Sequence, residues 1–174
     1  DPEAEQRSPG EDVTGQLLAF YSFDSSAIIN GRRDLFMPNT FASLWEKIEA
    51  MIAIGQIRAV DEVKREIVRK DDDAARWAKA QTGLFVPLTL DIQRATREVL
   101  AAHPRLLGIG GGPRNGADAF VIALAIAQGG TVVTQEVPRH INKPRIPDVC
   151  DAMGVRWRKL PEFVNEQGWK VLIG

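Results

Sequence analysis

The apolar positions of this chain switch repeatedly between the period of a strand and that of a helix. Leu17 to Phe23 is apolar except for Ser22, contains three aromatics and runs into Asp24-Ser25-Ser26, which predicts a buried strand turning into a helix. Ala27 to Ile29 opens a short helix that Asn30-Gly31 should break. Phe41, Leu44, Trp45, Ile48, Met51 and Ile52 recur at helical spacing and predict an amphipathic helix to about Ile54, stopped by Gly55. Ile57 to Val60 reads as a second strand, followed by helices over 61–69 and 71–82, the latter with three Asp in its first turn. A helix over 89–103 has Ile92, Ala95, Thr96, Val99 and Leu100 on one face. A Gly-rich loop, 108–116, leads into 117–128, which is apolar all round apart from Asp118 and Gln128 and predicts a central buried helix. The rest alternates: strand 131–134, helix 147–153, strand 155–158, helix 161–167 and a closing strand 169–173.

Strands alternating with helices predict an α/β fold, a three-layer α/β/α sandwich around a central, mostly parallel sheet, formed as one domain by residues 17–174. In such sheets ligands bind beyond the carboxyl ends of the strands, where the strand order reverses.

The 174 residues include 22 Lys+Arg and 23 Asp+Glu, but the charge is unevenly spread. Residues 1–16 hold five acids and one base, which leaves the remainder with a net charge of +3. That leader is dominated by Pro, Gly and acids without apolar period, so it is expected to be a disordered or appended extension. A mildly basic body permits a nucleic-acid partner without demanding one. The single cysteine, Cys150, excludes a disulfide framework and CxxC zinc sites and suits a reducing compartment. No apolar run exceeds nine residues, against the ~20 that span a bilayer, and no secretion signal opens the sequence, so a cytoplasmic, non-membrane protein is expected.

Four acids stand where chemistry is expected. Asp24 and Glu136 lie just beyond the carboxyl ends of predicted strands, Asp118 in the first turn of the central helix, and Glu66 on the helix after strand two. On that helix Val60, Val63 and Ile67 make the apolar stripe; Glu66 flanks it and Glu62 lies further toward solvent. Convergent carboxylates repel and stay ionised only around a hard cation, and oxygen-only ligation selects Mg²⁺ or Mn²⁺. Such ions support in-line phosphoryl displacement, the chemistry of a nuclease. Each acid also has an ordinary reading: Asp118 as a helix cap, Glu66 as a solvated helix residue, Glu136 as a turn residue. Asp24 is the most telling, because an acid ending a buried strand needs a partner.

The stretch Phe23-Asp24-Ser25-Ser26-Ala27-Ile28-Ile29 resembles the opening motif of PIN domains. Val63-Lys64-Arg65-Glu66-Ile67 is similar to their second acidic motif, Ala117-Asp118 with the apolar run to Ala125 to the third, and Val132-Val133-Thr134-Gln135-Glu136 to the fourth. The acids are separated by 42, 52 and 18 residues, in the family's order. Lys143 to Cys150 further resembles a bacterial, VapC-like branch. The resemblance implies a PIN fold over nearly the whole body. It also implies an Mg²⁺- or Mn²⁺-dependent endoribonuclease leaving 5′-phosphate and 3′-hydroxyl ends, often a toxin that pairs with an antitoxin protein and with a second copy of itself. Under it Asp24 and Asp118 hold the principal ion, Glu66 reaches it directly or through water, and Glu136 helps hold a second ion or orients water. Ser26 either fixes Asp24 through a hydrogen bond or serves as an ordinary turn serine. The family more often has Asp where this chain has Glu136, and Asp148 either supplements it or caps the following helix. Arg32, Arg33, Arg114, Arg139, His140, Lys143 and Arg145 are candidates for holding the RNA backbone, contacts that give salt-dependent affinity with little sequence information.

Other chemistries fit less well. The run Gly108-Ile109-Gly110-Gly111-Gly112-Pro113 fails the dinucleotide pattern at Pro113, and no Gly-Lys-Ser/Thr follows for a P-loop. Haloacid-dehalogenase-like phosphatases need a second Asp two residues after the first, where this chain has Ser26. His103 and His140 read as surface residues, and Cys150, Trp45 and Trp77 as core. Two rivals stand beside the ribonuclease: a catalytically weak module of the same fold that binds RNA or protein, and a structure-specific DNA nuclease. Whether Glu136 reaches the other acids separates the first rival from the nuclease.

Overall fold

The computed structural model describes residues 18–107, 116–171 and 173. The acidic leader and Arg114 in the Gly-rich stretch lie outside the described residues.

Five short strands form one parallel sheet in the order β3-β2-β1-β4-β5: β1 (Tyr21–Phe23), β2 (Ile57–Val60), β3 (Phe85–Val86), β4 (Thr131–Val133) and β5 (Trp157–Arg158). The chain runs from β1 through α1 (Ser25–Asn30) and α2 (Ala42–Ala53) to β2, then through α3 (Asp61–Lys70) and α4 (Asp72–Ala80) to β3. It returns through α5 (Leu90–Ala102) and α6 (Asp118–Gln128) to β4, then through α7 (Ile146–Met153) to β5 and α8 (Leu160–Glu166). Strand order therefore reverses between β1 and β4, which leaves a crevice beyond their carboxyl ends.

Period-two alternation in β1 gives the sheet its two covered faces. Tyr21 and Phe23 meet the Phe163 ring of α8 edge-on, at centroid distances of 4.8 and 5.2 Å. Ser22, between them, points the opposite way, and its hydroxyl donates to the Val121 carbonyl of α6 at 2.8 Å. Helix α6 is buried along Asp118, Ala119 and Val121–Ala125, as its apolar circumference predicts. The sheet is wholly parallel, which explains why the strands read as short apolar runs rather than alternations.

Close approach makes Gly130 the most demanding backbone position among the described residues. A Cβ there would lie 2.5 Å from the Phe20 carbonyl oxygen, which accepts the Thr131 N–H at 2.9 Å where β4 begins. Gly130→Ala is expected to lower stability by about 2–3 kcal/mol, because backbone rather than a flexible side chain must move; urea unfolding measures it.

Three local expectations are corrected, and one strand was not expected. Strand β1 spans Tyr21–Phe23, with Leu18, Ala19 and Phe20 outside it. Asn30-Gly31 does not break the first helix: the chain continues as a π-turn over Gly31–Leu35, with Gly31 in right-handed helical geometry. Gly31 serves packing instead, since a Cβ would meet Leu160 Cδ2 at 2.5 Å and the Trp45 ring at 3.3 Å. Trp169, Lys170, Val171 and Ile173 form no strand. Gly168, at φ +67°, turns the chain out of α8, and Trp169 docks edge-on against Phe163, centroids 5.8 Å apart. Finally, two-residue β3 escaped the pattern because Pro87 follows it immediately.

Arg32, expected near nucleic acid, is instead structural. Its guanidinium lies 4.8 and 5.3 Å from the ring centroids of Trp45 and Trp77, and its Nε pairs with Asp73 at 3.1 Å. The two indoles pack edge-on at 5.4 Å, so α2, α4 and the π-turn share one cation–π cluster. Arg33, also expected there, is paired with its neighbour Asp34 at 3.0 Å.

Candidate active site

The parallel register places Asp24 and Thr134 side by side. Phe23 is aligned with Val133, and the Asp24 N–H donates to the Val133 carbonyl at 2.9 Å, so each next residue leaves its strand at the same height. Asp24 is the N-cap residue of α1, yet its carboxylate accepts no capping bond. Its Oδ2 takes two hydroxyl donors instead, Ser26 at 2.6 Å and Thr134 at 3.0 Å. Both hydroxyls are themselves oriented by backbone: Gln135 N–H donates to Ser26 Oγ at 2.9 Å and Glu136 N–H to Thr134 Oγ1 at 3.1 Å. Two relays from the end of β4 thus converge on one oxygen of Asp24, leaving Oδ1 without a hydrogen-bond donor among the described residues. With 2% of its surface exposed, Asp24 is held almost without freedom.

Glu66 comes from α3, which starts directly after β2, on the neighbouring side of β1. The Ser25 hydroxyl donates to its Oε2 at 2.6 Å, and Lys70 Nζ lies 3.9 Å from the same oxygen. Glu66 is buried at 6% exposure, whereas Glu62 is partly exposed and pairs with Arg65 at 2.7 Å, which agrees with the preference for Glu66.

Asp118 is the first residue of α6, and Ala117 rather than Asp118 is the N-cap, so the helix-cap reading does not hold. Its carboxyl is 7% exposed and receives no hydrogen bond among the described residues. Burial pushes its pKa up to about 9, and the charges of Glu136, Asp24 and Glu66 push the same way, opposed by Lys70. Burial likewise raises Glu136 to about 7, with Asp24 and Glu66 adding to it; the Ile146 N–H bond and Arg145 oppose it. The four acids therefore act on one another electrostatically in one water-poor place.

Glu136 reaches the group from the loop after β4. Its Oε2 accepts from Ile146 N–H at 2.9 Å, the first residue of α7. Asp148 does not supplement it. Asp148 Oδ2 accepts from the Arg139 and Arg145 N–H groups at 3.0 and 2.8 Å, tying both ends of a loop together. Arg139, His140 and Lys143 are exposed on that loop and Arg145 is half-buried.

Two members of the site were not singled out by sequence: Ser25, and Thr134, which read only as part of a motif. The signal for Thr134 was present: a buried β-branched strand ending in a hydroxyl beside an acid-ended strand. Thr134→Val keeps the shape but removes the donor to Asp24. It is expected to lower any cleavage activity roughly 10–100-fold with secondary structure retained, measured by initial rates and circular dichroism.

Oxygen is the only donor type these four carboxylates offer, which suits a hard divalent cation, and their mutual repulsion gives such a cation a favourable place. Among the described residues, however, no three His, Cys, Asp or Glu side chains stand gathered as a ready metal-holding group. The fit lies in donor chemistry and charge rather than in preformed coordination.

A family model described as a domain of unknown function, DUF4411, matches residues 21–171. A comparison with curated proteins finds no match. Among solved structures, DNA-bound VapBC from Salmonella typhimurium is similar at 16% identity and a TM-score of 0.52, over 82% of this chain and 99% of that one. VapBC-1 from nontypeable Haemophilus influenzae is similar at 13% identity and 0.51, over 82% and 98%. A structure from Pyrobaculum aerophilum is similar at 14% identity and 0.50, over 86% and 97%. At these identities the likeness is one of fold, and it agrees with the doubly wound sheet described above. The chain belongs to the DUF4411 family, and its fold is that of a VapC-like PIN domain.

Proposed function

We propose that this protein is a metal-dependent endoribonuclease, the toxin of a toxin–antitoxin pair, acting in the cytoplasm on RNA phosphodiester bonds. The observation that supports the reading is electrostatic: Asp24 and Glu66 raise the pKa of both Asp118 and Glu136, although the four come from separate segments around the switch point between β1 and β4.

Asp24 and Asp118 are the principal candidates to hold Mg²⁺ or Mn²⁺, with Glu66 beside them and Glu136 completing the set. The bound cation would supply charge stabilisation for in-line displacement at phosphorus. Ser26 and Thr134 hold Asp24 with Oδ1 free of other donors, and Ser25 holds Glu66. Burial and the neighbouring carboxylates favour the protonated form of Asp118 and Glu136 in the metal-free protein, so cation binding would release protons. Arg139, Lys143 and Arg145 would meet substrate phosphates from the loop beyond Glu136.

One finding supports the toxin assignment: the fold is shared with VapBC structures. No helix among the described residues is long and apolar enough to cross a membrane. An antitoxin protein and a second copy of the chain are the proposed partners. One observation favours a catalytically weak, RNA- or protein-binding module instead: Glu136 spends Oε2 on α7. The deciding experiment incubates the protein with a pool of tRNA and single-stranded RNA in Mn²⁺, in Mg²⁺ and in EDTA. Metal-dependent cutting supports the nuclease. RNA binding without cutting under either metal supports the module.

A further inference from the structure

The loop after Glu136 is one basic element beside the acids; the second half of α3 is another. Residues 61–70 read DEVKREIVRK, so the two acids of its first turn give way to Lys64, Arg65, Arg69 and Lys70. Arg69 and Lys70 stand three and four residues after Glu66 and so share its face of the helix. Lys70 Nζ is 3.9 Å from Glu66 Oε2, and its charge reaches Asp118. Arg69 is exposed and makes no hydrogen bond or ion pair among the described residues. Lys64, Arg65 and Arg69 line a cavity of about 580 Å³ with Glu66, Gly116 and Ala117, the last adjoining Asp118.

Not every base there is free. Arg65 is paired with Glu62, whose Oε2 is buried without a partner, and Lys64 lies over the Phe85 ring at 5.5 Å. That leaves Arg69 unpaired among the described residues, with Lys70 next to it, exposed and held only by the 3.9 Å contact to Glu66. Sheet order decides what they can do. Because β2 and β4 flank β1, α3 and the 137–145 loop rise on opposite sides of Asp24.

We propose that Arg69 and Lys70 hold the backbone phosphates on one side of the scissile bond while Arg139, Lys143 and Arg145 hold those on the other. The RNA backbone then lies across the carboxyl rim from α3 to the loop. This rests on the ribonuclease reading above and names the residues that set the substrate's path.

The test measures binding of a short fluorescein-labelled single-stranded RNA by anisotropy, over a salt series, in an Asp118→Asn background that does not cut. Arg69→Gln/Lys70→Gln is expected to weaken binding and to lower the slope of log affinity against log salt by about 1.4, roughly 0.7 for each phosphate no longer neutralised. The loop triple Arg139→Gln/Lys143→Gln/Arg145→Gln lowers it independently, and the two sets add. Arg69→Lys, which keeps the charge, restores half of the α3 loss. Unchanged affinity and slope in the α3 pair overturn the proposal. In that case the loop triple still loses binding and the native protein still cuts, so the nuclease reading survives. Absence of both RNA binding and cutting in the native protein removes that reading and this inference together.

Discussion

Asp118→Asn is expected to abolish metal-dependent RNA cleavage, by about 10³-fold or more, while the protein stays folded, and Asp24→Asn to do the same. The two differ in what surrounds them, which makes the pair informative. Asp118 has no hydrogen-bond donor among the described residues, so its amide replaces a carboxyl whose charge burial and three acids already oppose. Asp24 loses an oxygen that two hydroxyls address, and Ser26 and Thr134 can rotate to meet an amide. Under the proposed reading, each change removes one carboxylate that would carry negative charge toward a divalent ion. The check is rate of cleavage with circular dichroism and Mn²⁺ titration calorimetry on the same samples. Native rates in either variant would remove the four acids from the chemistry.

The second large effect is on stability against pH. The pKa of Asp118 rises on folding from 3.8 to about 9, and that of Glu136 from 4.5 to about 7. Between the two values of each group the native state binds more protons than the unfolded state, so unfolding free energy falls as pH rises. The loss begins near pH 4 for both groups, is complete for Glu136 above about pH 7 and continues for Asp118 toward about pH 9. The metal-free protein is therefore expected to melt about 5–10 °C lower at pH 9 than at pH 5, an effect of a few kcal/mol. Asp118→Asn should flatten the upper part of that curve and raise the melting temperature at pH 8. Saturating Mn²⁺ should raise it too, and binding should release protons, seen as a dependence of calorimetric enthalpy on buffer ionisation. A melting temperature that climbs from pH 5 to pH 9 without metal would show that the four carboxyls do not share one buried environment.

Much of this site was legible in the chain because its parts are local. Asp24 follows an apolar run and precedes Ser-Ser; Glu66 borders the stripe of Val63 and Ile67; Asp118 opens an apolar helix. Those patterns rest on periods of two and 3.6, which burial imposes directly on sequence. The errors arose where local signals conflict with packing. Asn30-Gly31 reads as a breaker, but Gly31 is needed for contact with Leu160 and Trp45. Arg32 reads as a free base, but two indoles and Asp73 hold it. The segment 169–173 reads as a strand, but Trp169 docks on Phe163.

What the sequence by itself determined was the alternation of strands and helices, the identity of the acids and their order, because those follow from hydrophobic period and residue type. Only the tertiary structure decided which groups meet. Parallel register between β1 and β4, over residues 110 apart, is what puts Thr134 Oγ1 on Asp24 Oδ2. Sheet order is what sets Glu66 and Glu136 on opposite sides of Asp24, and the α7 terminus is what engages Glu136. Hydrogen bonds and charge fields depend on distances in space, and separation along a chain does not specify those.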